Sequence, residues 1–330
     1  MAGRLAFAIP GDLDSPTGGY GYDRRIIAEL RTLGWDVEIV ALGDPRRLLA
    51  VAADRTIVVD GLAFGRMPDV AALRPMVALV HHPLAYETGL SAEEAERLRD
   101  SERAALASAR KIIATSEVTS DLLVADYGVP RARVEVVLPG TDRVPLSKGS
   151  GGVPLQLLSV GAISTRKGFD LLVDALARVA ELDWYLTIAG DRSRDAGAAA
   201  RLDAAVERHG LAGRIDRPGA VSAMQLEALY QRADLFVLAS QFEGYGMAYA
   251  EALAHGLPVI GTTGGAIPGT VPATAGRLVQ PGDVDALAGA LRDVISNAAL
   301  RKVLAQGARA AALSLPTWAE SGARFARALG

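Results

Sequence analysis

LFVLASQFEGYGMAYAEALAHG, residues 235–256, runs from an apolar strand-like segment (LFVLAS, 235–240) through a glycine-bearing turn into a helical segment. A strand that hands the chain directly to a helix is the repeating unit of a parallel α/β sheet. With the helix starting near Met247, the N–H groups of Gly246, Met247 and Ala248 face an incoming anion, backed by the positive end of the helix dipole. Glu243 precedes the turn, Gly244 and Tyr245 lie within it, and Glu251 sits just over one helical turn inside. One carboxylate reaches what lies in front of a bound phosphate, the other reaches hydroxyls beside it. Carboxylates accept hydrogen bonds from paired sugar hydroxyls, so a phosphate between two such acceptors points to a nucleotide sugar.

The same alternation extends in both directions. Upstream, the strand candidates are RLAFAIP, WDVEIVAL, RTIVVDG, PMVALVHH, KIIATS and RVEVVLPG, with helices expected over 21–33, 92–109 and 117–127. The segment VPLSKGSGGVP (144–154) is small, polar and rich in Pro and Gly, as a linker would be. A second series follows: LQLLSVGAI, DWYLTIAGD, GRIDRPGAV, DLFVLAS, LPVIGTT and GRLVQ. The expectation is an N-terminal α/β domain over 1–146 and a C-terminal one over 147–330. The last helix (316–330) is free to pack back on the first domain. A chain of 330 residues suits two domains, and ligands of open α/β sheets sit at strand C-terminal ends.

Composition narrows the function. Cysteine is absent, which removes disulfides and thiolate metal sites, and the four histidines show no metal-ligand spacing. A net charge of −3 with both signs scattered does not recommend nucleic acid. No long uncharged apolar stretch appears, and Met1–Pro10 reads as a strand without a basic leader. The expectation is a cytoplasmic protein, at most peripheral at the inner face of a membrane.

Four further constellations bear on chemistry. SPTGGYGYD (15–23) places Gly18 and Gly19 before a helix, where backbone can approach a ligand closely. A dinucleotide fingerprint competes for this stretch, but Arg24 stands at its third glycine and the turn is too long. VGAISTRKGFDLL (160–172) follows a strand; beyond Gly161, Arg166 and Lys167 are placed to neutralise a diphosphate. His81 and His82 close the strand PMVALVHH, and since neighbours on a strand point to opposite faces, at most one serves a site. TTGGAIPG (262–269) carries Gly264 and Gly265, whose turn offers further amide donors. Asp12-Leu13-Asp14 has the D-x-D form that holds a divalent metal in some sugar transferases, yet two aspartates in a polar loop arise easily by chance.

Taken in order, these motifs resemble the retaining family 4 glycosyltransferases: GG before the first helix, His at the fourth strand, SEVTSDLL…YGVP…VEVVLPGTD, G-x-x-x-x-x-KG, FEGYGMAYAEALAHGLPVI, GG and AGRLVQPGD. The resemblance covers nearly the whole chain. It implies a GT-B fold of two facing Rossmann-like domains with parallel sheets and an inter-domain cleft. It further implies transfer of a hexose from a nucleotide diphosphate sugar, UDP favoured over GDP, to an acceptor hydroxyl by front-face displacement. The acceptor is a small molecule, a glycan or a lipid-linked sugar. No tightly bound cofactor or divalent metal is expected. By the resemblance, Glu243 contacts the donor sugar, Glu251 the ribose, Lys167 the diphosphate, and Gly18 and Gly19 the phosphate or acceptor; His81 hydrogen-bonds the transferred sugar and is preferred over His82, and Arg166, next to Lys167, is expected to take over the charge of an arginine that many members carry after Gly161. Two positions depart from the family: Ala162 stands where many members carry Arg, and Gly269 lies where members commonly have Glu. A non-catalytic sugar-nucleotide-binding subunit, or an epimerase or phosphorylase of the same fold, are the alternatives.

Overall fold

The computed structural model describes residues 3–330, which divide into two compact units, 3–140 with Pro316–Gly330, and Thr141–Leu315. The first contains six parallel strands: β1 (Arg4–Ile9), β2 (Asp36–Ala41), β3 (Thr56–Asp60), β4 (Val77–Val80), β5 (Lys111–Ala114) and β6 (Val134–Val136), in the order β2-β1-β3-β4-β5-β6. Helices cover both faces, so the central strands read as continuous apolar runs such as VALV, every residue of which is buried.

The helix Gly18–Thr32 opens three residues before the expected 21–33. Thr17 accepts from the Tyr20 amide at 3.2 Å, so the cap precedes the glycine pair and both glycines enter the first turn. The closing helix Trp318–Leu329 packs against this one and against β1: the Arg25 guanidinium of the helix Gly18–Thr32 sits 4.9 Å from the Trp318 ring, and Phe325 stacks on Phe7 of β1 at 6.4 Å. It therefore belongs with the first unit.

The second unit contains β7 (Leu155–Val160), β8 (Trp184–Ala189), β9 (Ile215–Gly219), β10 (Leu235–Val237), β11 (Val259–Thr262) and β12 (Gly276–Val279), all parallel, in the order β12-β11-β10-β7-β8-β9. The expected boundary at 146/147 falls inside this unit. The 144–154 segment is tied along it rather than left as a linker. Ser147 donates its amide to His255 O at 2.8 Å, Lys148 to Gln231 O at 3.0 Å, and Ser150 to Asp234 Oδ1 at 2.9 Å.

Each sheet has a switch point, where crossovers leave to opposite faces and open a crevice at the strand C-terminal ends. In the first sheet it lies between β1 and β3, in the second between β7 and β10. No helix among the described residues is long and apolar enough to cross a membrane.

One buried acid supports the loop after β4. Glu102, in the helix Ala92–Ser108, accepts the Leu84 amide at 2.9 Å, and burial pushes its carboxyl up to about 7. A raised native value means a stabilising contribution that is complete below the unfolded value of 4.5 and lost as pH rises through about 7. Urea midpoints taken at pH 4.5 and 7.5 should fall for the wild type and change less for Glu102→Gln; parallel changes would contradict the assignment.

Candidate functional site

The loops that leave β7 and β10 meet beside the switch point of the second sheet. After β7, Gly161 turns the chain and the short 3-10 turn Thr165–Lys167 presents two cations. After β10, the chain runs on past Ser240 to Glu243. Lys167 Nζ lies 2.6 Å from Glu243 Oε1 and Arg166 Nη1 2.9 Å from Glu243 Oε2; Ser240 Oγ donates to Oε1 at 2.6 Å. Arg166 also donates to Phe242 O at 2.7 Å. Glu243 is 6% exposed. Burial would raise its pKa, but the Lys167 and Arg166 charges outweigh burial and hold the carboxylate well below the usual range. Burial pulls Lys167 down, and attraction to Glu243 only partly offsets it. The cations and the acid form one ionic cluster around a buried carboxylate, with Arg166 and Lys167 partly exposed at its edge.

Gly264 and Gly265 support that cluster directly. A Cβ at Gly264 would lie 2.3 Å from Gln241 O, and one at Gly265, where φ is 62°, would lie 2.3 Å from Glu243 O. Only glycine lets this turn lie against the Glu243 backbone, where the Ala266 amide donates to Glu243 O at 2.8 Å. The amide donors expected here for a ligand thus include one already engaged in holding Glu243.

Gly246 caps the helix Met247–Ala254 with φ 93°. Its carbonyl accepts from Tyr249 and Ala250 at 3.0 and 3.2 Å, so the first-turn amides of Met247 and Ala248 have no intrahelical acceptor. Tyr249 anchors the turn by donating to Leu238 O at 2.7 Å. The turn between Gly244 and Gly246 is pinned at Tyr245, whose carbonyl accepts from Thr270 Oγ1 at 2.7 Å. Burial pushes the Tyr245 phenol up to about 12. Glu251 accepts from Tyr230 Oη at 3.0 Å, and the Tyr230 ring stacks on His255 with centroids 4.5 Å apart.

The first unit gathers a second group. Gly18 and Gly19 begin the helix after β1, with open space beside Gly18 and the His81 ring 3.4 Å from where a Gly19 Cβ would stand. His81 O accepts from Thr115 Oγ1 at 3.1 Å and Thr119 Oγ1 at 3.3 Å. Its Nε2 lies 3.2 Å from Asp23 Oδ1 and 3.6 Å from Asp60 Oδ2. His82 turns elsewhere, pairing with Glu87 at 3.1 Å. The D-x-D motif is accounted for by a turn: Asp12 Oδ1 accepts the Asp14 amide at 3.0 Å, and Arg24 holds the same loop through Leu13 O and Ser15 O.

Four contributors escaped the sequence reading: Ser240, Tyr230, Asp23 and Asp60. Asp23 left a usable signal, since it shares the buried stripe of its helix with Ile26, Ile27 and Leu30, and a lone carboxylate on an apolar face needs a partner. Asp60 ends an otherwise apolar strand. Ser240 and Tyr230 left none.

Residues 147–311, half of the 330-residue chain, match the family model described as glycosyl transferases group 1, and residues 57–144 match that described as Glycosyltransferase Family 4. Mannosylfructose-phosphate synthase of Agrobacterium fabrum is 31% identical over 173 residues, 47% of this chain and 38% of that protein. The matched stretches of the first curated relatives span 38% to 62% of their own lengths. Sucrose-phosphate synthase from Thermosynechococcus elongatus superposes with a TM-score of 0.84 at 21% identity, covering 98% of each chain. Anabaena HepE in complex with UDP-glucose gives 0.80 at 18% identity, again covering 98% of each. Family match, motif order and the two parallel sheets agree, and the chain belongs to the group 1 glycosyl transferases, with the GT-B fold.

Proposed function

We propose that this protein moves a hexose from a nucleotide diphosphate sugar, a UDP-sugar in preference to a GDP-sugar, to an acceptor hydroxyl with retention at the anomeric carbon. The observation that carries this reading is the Glu243–Lys167–Arg166 cluster at the β7/β10 switch point, beside the helix that opens at Met247 and carries Glu251. Cations and amides suit a diphosphate, and the two carboxylates suit hydroxyls on either side of it. The UDP-glucose bound by the structurally similar Anabaena protein favours UDP.

Glu243 engaged in an ion cluster and Glu251 accepting from Tyr230 favour a front-face step over a two-carboxylate double displacement. The bond from the anomeric carbon to the diphosphate oxygen breaks, the acceptor oxygen bonds on the same face, and its proton passes to the departing diphosphate. Lys167, Arg166 and the Met247 and Ala248 amides stabilise the growing charge on that group. These cations supply neutralisation that a divalent metal provides in other sugar transferases.

A thermal-shift screen of UDP, GDP, ADP and their sugars tests the donor class, since a ligand at 100 times its dissociation constant adds about 2.7 kcal/mol. Release of nucleoside diphosphate only when an acceptor is present then separates a transferase from a binding subunit. No shift with any nucleotide would sink the reading. Glu251→Ala should weaken UDP binding by about tenfold, roughly one charge-assisted hydrogen bond, more than it alters turnover at saturating donor. Calorimetry and kinetics on the same preparation check this; lost turnover with unchanged affinity would reassign Glu251 to chemistry.

A further inference from the structure

The switch point of the first sheet holds an arrangement that donor binding in the second unit does not explain. Asp23 comes from the inward face of the helix Gly18–Thr32, Asp60 is the last residue of β3, and His81 is the first residue beyond β4. Both carboxylates are fully buried. Asp60 Oδ1 takes the Leu62 amide at 2.7 Å, while Asp23 Oδ2 and Asp60 Oδ2 have no hydrogen-bond partner among the described residues. Two adjacent buried carboxylates persist only beside a cation or by sharing a proton. The basic group between them is the His81 ring, with Nε2 at 3.2 Å from Asp23 and 3.6 Å from Asp60.

The ring is fixed on other sides as well. The Tyr22 ring meets it edge-on at 5.3 Å, with its own hydroxyl donating to Val137 O at 3.0 Å, and Gly19 lies against Cδ2. Thr115 and Thr119 hold the His81 carbonyl. Nδ1 makes no hydrogen bond to a described residue, and the side chain remains 17% exposed.

We propose that Asp23, backed by Asp60, is a positioning residue: it accepts the Nε2 proton of His81, sets the plane of the ring, and leaves Nδ1–H as the donor offered to a hydroxyl or phosphate oxygen of a substrate that reaches this sheet edge of the first unit. The identity of that ligand rests on the proposed transfer reaction; the arrangement of the three side chains does not. Burial disfavours the imidazolium, yet the two carboxylates outweigh burial and push His81 up to about 10. A ring cationic at neutral pH has two N–H donors and no lone pair, so it donates and does not act as a general base. One excess negative charge remains among the three groups, and burial pushes Asp23 up to about 6.

Ring ¹⁵N resonances of the four histidines, followed from pH 5 to 11, test this without reference to turnover. Wild-type His81 should keep both nitrogens protonated through pH 8. Asp23→Asn should lower its titration by about one pH unit or more, and Asp60→Asn should act in the same direction; melting curves establish that each variant is folded. A neutral His81 at pH 7, or a titration unmoved by Asp23→Asn, overturns the proposal. So does Zn²⁺ that displaces the ring proton in the wild type but not in Asp23→Asn, since the cluster would then be a cation site. With UDP-glucose as probe, Asp23→Asn and His81→Gln should each lower kcat about tenfold or more with little change in KM, and the double variant should be no worse than His81→Gln. Independent, multiplying losses would make Asp23 merely structural. A wild type that binds no nucleotide sugar would sink the transfer reading, while the His81 spectra would still decide the role of Asp23.

Discussion

Glu243→Ala is expected to destabilise the second unit by about 3–5 kcal/mol, the loss seen when one partner of a buried ion pair is removed. The wild-type carboxylate is 6% exposed and accepts from Lys167, Arg166 and Ser240 at 2.6, 2.9 and 2.6 Å. Its removal leaves two cations close together without the carboxylate that pairs with both, and Lys167 already sits where burial lowers its pKa. The glycine turn built against the Glu243 backbone remains, so the damage is electrostatic before it is a packing fault. Glu243→Gln keeps the volume and one acceptor but not the charge, and should fall between wild type and alanine. Urea unfolding at pH 7 measures all three. A loss below about 1 kcal/mol for alanine would place the pair in a solvated setting and contradict the burial of the carboxylate.

On the proposed transfer reaction, Lys167→Ala is expected to lower turnover at saturating nucleotide sugar by a factor of order 10² or more, the usual size of a lost charge-stabilising donor at a leaving group. Stability should suffer less than in Glu243→Ala, because Arg166 and Ser240 still satisfy the carboxylate. The two variants therefore separate cleanly. One is chiefly a folding defect that abolishes activity with it, the other a folded protein with a slow chemical step. Turnover of Lys167→Ala equal to wild type at saturating donor would remove Lys167 from the transfer step. If only the apparent affinity fell, Lys167 would serve binding alone.

The central strands were legible as apolar runs, because both faces of a parallel sheet are covered there, whereas edge strands such as β2 (DVEIVA) and β9 (IDRPG) carry polar residues and were legible from their place in the alternation. The turn at 243–251 was legible for another reason: strand end, turn and helix start are contiguous in the chain, so the start of the helix at Met247 follows from local signals. The start of the first helix was misplaced by three residues because the GG pair reads as a breaker until Thr17 is recognised as the cap.

Element order, the Rossmann-like alternation, family membership and the residues of the 243–251 turn could be read from the chain alone, since each depends on neighbours within a turn or two, or on an ordered set of short motifs. Partnership between distant residues could not. Lys167 and Glu243 meet only because β7 and β10 are neighbours in the second sheet, and His81 meets Asp23 and Asp60 only because β1, β3 and β4 lie side by side in the first. Strand order is set by long-range pairing that no local pattern encodes, and burial then turns that proximity into shifted charge.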